Sequence, residues 1–128
     1  MPSPSGMQGY IKYLMTYLRI PYLPQTASYT TIANFTQGYY TNTGASGTIT
    51  ISLPSSALPG ITYTFVCTVA QAIRVDPAAN DRILVNNALQ AAGKYASVGA
   101  INAGFTLTSL GDGIWLATGV NGTVTVEA

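Results

Sequence analysis

Apolar and polar residues alternate along most of the chain. Ile49, Ile51 and Leu53 stand against Thr48, Thr50 and Ser52, and Tyr63, Phe65, Cys67 and Val69 against Thr62, Thr64 and Thr68. A period of two places one set of side chains on a buried face and the other on the opposite face of a strand. The same pattern predicts strands at Ile73 and Val75, at Ile83-Leu84-Val85, at Phe105 and Leu107, at Ile114 and Leu116, and at Val124 and Val126. Between them lie Asn42-Thr43-Gly44, Pro59-Gly60, Asp76-Pro77, Gly111-Asp112-Gly113 and Asn121-Gly122, residue types that supply the fixed or positive φ of turns. Gly111-Asp112-Gly113 and Asn121-Gly122 read as hairpin turns, which would make the last third a meander. Residues 88–95 have room for one helical turn, limited by Gly93. Many short strands with Gly and Pro turns predict an all-β fold, a β-sandwich or barrel-like domain of short antiparallel strands.

The first residues have a different texture. Pro2, Pro4, Pro21 and Pro24 bracket a stretch in which Tyr10, Tyr13, Leu14, Tyr17 and Leu18 recur at helical spacing, while Ile11, Tyr13, Met15 and Tyr17 alternate as in a strand. Both patterns are present, so residues 1–28 read as an arm, extended or short-helical, ahead of a β-rich body at 29–128. Tyr10, Tyr13, Leu14, Tyr17, Leu18 and Tyr22 are its candidate subunit contacts. An apolar, tyrosine-rich segment has little of a small body to bury itself on and gains by lying across another subunit.

Charge changes the picture most. Only 7% of the residues are charged and the net charge is +1, against roughly 25% in an ordinary soluble domain. Between Arg19 and Arg74 there is no charged residue. Disorder requires the reverse combination of low hydrophobicity and high charge. A folded subunit that works inside an assembly is the expectation, with 128 residues suited to one core. Phosphate neutralisation needs clustered Lys and Arg, so no nucleic acid is expected as a partner. No apolar run is long enough to span a bilayer, and no basic segment of a secretion signal opens the chain; neither a membrane nor export is expected.

The inventory for catalysis is thin. There is no histidine, one cysteine and four carboxylates, which removes the commonest general base and the Cys/His zinc sites together. No enzyme activity, cofactor or metal is expected. Cys67 sits in an apolar run and reads as a small buried hydrophobe. The richest polar constellation is Arg74, Asp76, Asn80, Asp81 and Arg82 around Pro77. Oxygen ligands there could hold calcium, but the ligand count of a calcium loop is missing and a turn held by Asp side chains accounts for it. Tyr39-Tyr40 with Tyr10, Tyr13 and Tyr17 could form a sugar platform, although interface packing suits these tyrosines better and no polar cluster accompanies them. Trp115, between Ile114 and Leu116, reads as core or subunit contact.

The order of three pieces, residues 41–54 (Thr-Asn-Thr-Gly-Ala-Ser-Gly-Thr-Ile-Thr-Ile-Ser-Leu-Pro), 59–66 (Pro-Gly-Ile-Thr-Tyr-Thr-Phe-Val) and 71–77 (Gln-Ala-Ile-Arg-Val-Asp-Pro), followed by Gly93-Lys94-Tyr95 and residues 115–118, resembles a module of small bacteriophage structural proteins. The likeness covers about residues 40 to 126 and leaves the arm outside. It implies a virion component. With the arm and the missing charge, it points to a capsid decoration (cement) protein on the capsid surface that bridges capsomers. Its partners would be the major capsid protein and copies of itself, with a homotrimer favoured as a closed arrangement. The alternative it leaves open is a tail-fibre or baseplate module for attachment or host-glycan binding.

Overall fold

The computed structural model describes residues 21–30, 37–56 and 58–128. They hold twelve strands and no helix: β1 Tyr22–Pro24, β2 Tyr29–Thr30, β3 Gln37–Thr41, β4 Ile49–Ser52, β5 Thr62–Val66, β6 Ile73–Asp76, β7 Arg82–Val85, β8 Ala88–Leu89, β9 Ala96–Val98, β10 Gly104–Gly111, β11 Ile114–Asn121 and β12 Thr125–Val126. The fold is all-β and consists of two mixed sheets, sandwich-like and without a closed barrel. The larger sheet runs β1-β3-β5-β10-β11-β7-β8 and the smaller β12-β9-β6-β4-β2.

The period-two segments form the expected strands, and their connections are the finding. From β1 to β7 the chain alternates between the sheets, odd-numbered strands in the larger and even-numbered strands in the smaller. Strands β1, β3 and β5 pair in parallel, as do β2, β4 and β6. A chain that crosses to the opposite sheet after each strand must return in the same direction, so its neighbours within a sheet are parallel. The antiparallel expectation holds for β5 with β10, β10 with β11, β6 with β9, β9 with β12 and β7 with β8, while β7 pairs with β11 in parallel. The β10–β11 hairpin fills the space between β5 and β7, which it joins into one sheet.

Two local expectations change. Gly111-Asp112-Gly113 does turn the β10–β11 hairpin, all three at positive φ. Asn121-Gly122 instead leads the chain to β12, which pairs with β9 in the other sheet. The last third is thus no meander. The helical turn considered for 88–95 is replaced by β8, reached through Asn86 and Asn87 at φ 52° and 63°. Two consecutive positive φ values make the tight reversal that matches strand twist.

Inward-facing residues from both sheets form one core: Tyr40, Tyr63, Phe65, Phe105, Leu107, Trp115 and Ile83 from the larger, and Ile49, Ile51, Ile73, Val75, Ala96 and Val98 from the smaller. Rings lie in contact between neighbouring strands and, for Tyr63 and Trp115, across β10. Tyr40 stacks on Phe65 at 5.5 Å between centroids, Phe65 meets Phe105 at 5.7 Å and Tyr63 stacks on Trp115 at 5.8 Å. Each buried ring contributes about 1.5–3 kcal/mol by leaving water, with about 0.5–1.5 kcal/mol more per well-placed aromatic pair. Cys67 is buried as expected, and burial raises its thiol pKa, offset in part by a backbone hydrogen bond at Ile73.

The Tyr40 hydroxyl is enclosed in this core without a hydrogen-bonding partner among the described residues. Burial, then the neighbouring Tyr63 and Tyr29, push its pKa well above the ordinary phenol value. An unpaired buried hydroxyl costs about 1–3 kcal/mol. Tyr40→Phe, which keeps the ring contacts, should therefore raise stability by roughly 1 kcal/mol; urea unfolding reads this directly, and a loss of stability would reveal a bond to that hydroxyl.

Candidate functional site

The charge-free stretch of sequence becomes a place in the fold. Strands β1 to β5 carry no charged residue and together form one end of both sheets, with β1 and β2 as the outermost strands. Among the described residues, Arg74 and Asp76 lie on β6, the middle strand of the smaller sheet, Asp81, Arg82, Lys94 and Glu127 lie on or beside β7, β9 and β12 toward the opposite end, and Asp112 tips the β10–β11 hairpin. At the charged end Lys94 and Glu127 approach to 3.6 Å, while Glu127 Oε1 accepts the Tyr95 N–H. This exposed ion pair contributes at most about 1 kcal/mol. Its location matters more, since charge beside an outer strand discourages pairing with another molecule.

The uncharged end displays aromatic surface. Tyr22 on β1 and Tyr39 on β3 are register partners, stack at 6.1 Å between centroids and are 60% and 36% exposed. Thr41, then Thr43, hydrogen-bond the Tyr22 phenol and lower its pKa. Tyr39 and Tyr40 point to opposite faces, as successive strand residues must, so they do not form a joint sugar platform. Of the arm contacts expected from sequence, Tyr22 belongs to a strand of the larger sheet; Tyr10, Tyr13, Leu14, Tyr17 and Leu18 lie outside the described residues. The boundary read at residue 28 falls after β1.

Strand β1 is protected from adding a further strand by proline instead of charge. Tyr39 N–H donates to Pro21 O and Gln25 N–H donates to Thr41 O, each at 2.8 Å. Pro21, Leu23 and Gln25 thus face β3, and Tyr22 and Pro24 present their backbone to the open side. Pro24 has no N–H to offer there. What this end offers to its surroundings is therefore side chains, above all the tyrosine pair.

The constellation around Pro77 separates. The Arg74 guanidinium lies 4.9 Å from the centre of the Tyr95 ring, and Arg82 Nε donates to Gln90 O at 2.7 Å. Asp81 is buried, and its Oδ2 accepts the Ser56 N–H at 2.7 Å. Among the described residues no three His, Cys, Asp or Glu side chains converge as a metal site.

Asp81 belongs to a buried polar knot that the sequence did not reveal. Ser56 Oγ lies 2.7 Å from Ser109 Oγ and donates to Ile114 O at 3.0 Å, and Ser109 Oγ donates to Leu58 O at 2.7 Å. The carboxylate meets the backbone of Ser56, not its hydroxyl, so this contact holds a loop in place and does not activate a nucleophile. A second buried device was also missed. Asn42 Nδ2 donates to Gln71 O at 2.7 Å and Val69 O at 3.3 Å, and its Oδ1 accepts the N–H groups of Thr68 at 2.8 Å and Val69 at 3.2 Å. One amide thereby fastens the turn after β3 to the crossing from β5 to β6.

Asp76, at the end of β6, has its pKa raised by burial and then by the nearby Glu127. A carboxyl whose folded pKa exceeds its unfolded value binds protons better when folded, so stability falls as pH rises from the unfolded value of about 4 through the folded one. Asp76→Asn should flatten that part of the profile and leave the protein at least as stable at neutral pH. Melting temperatures measured between pH 3.5 and 7 test this, and an unchanged slope would remove Asp76 as its source.

No protein-family model matches this chain, and no curated protein sequence matches it.

Proposed function

We propose that this chain is a non-catalytic structural subunit of a bacteriophage virion, a decoration (cement) protein on the capsid surface that bridges capsomers. The observation that carries the reading is the segregation of charge. One end of the sandwich, β1 to β5, is uncharged and displays the Tyr22–Tyr39 stack, while the charged side chains among the described residues lie on and beside later elements. A free monomer gains solubility from dispersed charge. A subunit seated on others gains from a tyrosine-bearing face free of charges that would have to be desolvated. The resemblance of residues 40 to 126 to phage structural modules supplies the setting. The major capsid protein and further copies of the chain, in a trimer, are the partners this reading assigns, without cofactor or catalytic step.

The test is fractionation of disassembled virions, with the chain followed by mass spectrometry. It should travel with heads, and purified protein added to heads lacking it should raise the temperature at which they release DNA. Tyr22→Asp should abolish that protection while leaving circular dichroism unchanged. Recovery in tail fractions alone would overturn the capsid assignment in favour of an attachment module.

A further inference from the structure

Strand β11 outruns its neighbour. Its pairing with β7 ends at Leu116 opposite Leu84, but β11 continues to Asn121 and remains paired with β10 as far as Gly104–Asn121. Beyond Val85 the chain reverses through Asn86 and Asn87 into β8. Residues 117–121 thus have β10 on one side and no described strand on the other. The space left is a cleft of about 300 Å³, with Leu84, Leu116 and Val120 as apolar lining and Asn86, Asn87 and Gly119 at its rim. Gly119, at φ +58°, lies where the β10–β11 register shifts, a bulge that bends the free strand.

We propose that this cleft receives residues 11–17 of a second copy of the chain, which add to β11 as a short strand collinear with β7. The inference deepens the reading of the chain as an assembly subunit and rests on it, though not on the capsid location. An open strand side with apolar pockets beside it is the geometry of strand addition, in which backbone bonds give affinity and alternate side chains fill pockets. Ile11, Tyr13, Met15 and Tyr17 alternate as such a strand requires, and none is charged, in keeping with a cleft whose lining has no charge. The opposite face would carry Lys12, Leu14 and Thr16, with the lysine toward solvent.

The path decides between the same copy and another. The described chain begins at Pro21, beside β1, and β1 lies five strand steps from the open side of β11, or about 24 Å at ~4.8 Å per step. Only residues 18–20 separate Tyr17 from Pro21, and the four Cα steps between them span about 14 Å, too short for the segment to fill its own cleft. Any route there would also cross β3, β5 and β10 at right angles and then turn along β11. That route passes over Thr62, Thr64, Thr106 and Thr108, whose hydroxyls already pair with one another, Thr64 with Thr106 at 2.9 Å and Thr62 with Thr108 at 3.4 Å. They offer little to an apolar segment. A neighbouring copy can present the segment along the strand direction from the outset.

Site-directed cross-linking of full-length chains tests the proposal. One tagged version carries Tyr13→Cys, a second of different size carries Thr118→Cys at the exposed wall of the cleft, and the two are mixed and oxidised. The mixed dimer should form at least tenfold more than with Thr125→Cys, an equally exposed position in the other sheet. Adding Val120→Asp to the Thr118→Cys chain should cut the yield at least tenfold, with circular dichroism confirming the fold. A yield no greater than that of the Thr125→Cys control would overturn the proposal. So would closure within a single chain when Tyr13→Cys and Thr118→Cys are combined, at a dilution that removes the dimer. Cross-linking without incorporation into heads would defeat only the decoration reading, and incorporation without cross-linking only this one.

Discussion

Asn42→Ala should cost about 3 kcal/mol, a large share of the 5–15 kcal/mol that holds a domain of this size together. The side chain is fully buried and makes four hydrogen bonds to three residues distant in sequence. Truncation strands the Thr68 and Val69 N–H groups and leaves Gln71 O only the weak Cys67 thiol contact at 3.5 Å, while Val69 O keeps the Gln71 N–H at 2.8 Å. Each stranded group costs about 1–3 kcal/mol where water cannot reach it, and the exposure of Thr68 lets solvent recover part of that. Asn42→Asp distinguishes the donor from the acceptor. It keeps an oxygen for Thr68 and Val69 but brings a second one against Gln71 O, where the native separation is 2.7 Å. The aspartate should be nearly as damaging as alanine at pH 7. It should recover as pH falls, because the acid favours the protonated form that can donate, which raises its folded pKa and makes stability decline as pH rises through it. Chemical denaturation at pH 7 and pH 4 measures both effects, and an alanine variant within 1 kcal/mol of the parent would show that the turn holds without the amide.

Phe65→Ala should be at least as costly, about 3–5 kcal/mol. Phe65 is central to β5, fully buried and in contact with the rings of Tyr40, Tyr63 and Phe105, which come from β3, β5 and β10. Its removal leaves a cavity that surrounding backbone in two-sided sheet pairing is poorly placed to fill. Phe65→Leu, which keeps most of the volume, should lose well under half as much. Equal losses for the two variants would mean that ring stacking, not volume, supplies the stability. Unfolding midpoints in urea at unchanged slope provide the comparison.

The alternation of side chains made β4, β5, β6, β7, β10 and β11 legible, because each has one face in the core. It could not reveal which strand neighbours which, or in which direction. Period two is the same for parallel and antiparallel partners, and the alternate crossing between sheets depends on contacts far apart in sequence. Strand β3 was obscured because Gly38 and the adjacent pair Tyr39-Tyr40 break a clean alternation, and Ala96-Ser97-Val98, buried throughout, has none. Asn121-Gly122 looked like a hairpin because its chemistry fits one; the choice of β9 over β11 as partner for β12 is made by tertiary pairing. Asn42 stood beside Thr43-Gly44 as ordinary turn punctuation, and nothing local distinguishes an asparagine that makes a turn from one that fastens two together. Ser56 and Ser109 were likewise two serines among many until the fold brought their hydroxyls to 2.7 Å. The missing charge was legible from the start, and the fold added that it belongs to one end.

The insertion of β10 and β11 between β5 and β7 bears on how the chain acquires its fold. In the finished sheet β5 and β7 stand three strand steps apart, about 14 Å, and neither touches the other. The crossings that precede them therefore cannot complete the larger sheet by themselves. Its centre must wait for residues 104–121, which bring Phe105, Leu107 and Trp115 to the core. During synthesis the aromatic side chains of β3 and β5 lack that cover until residues 104–121 have been made. Pairings so distant in sequence form slowly, which leaves this interval as the time when the nascent chain is most exposed to association with others.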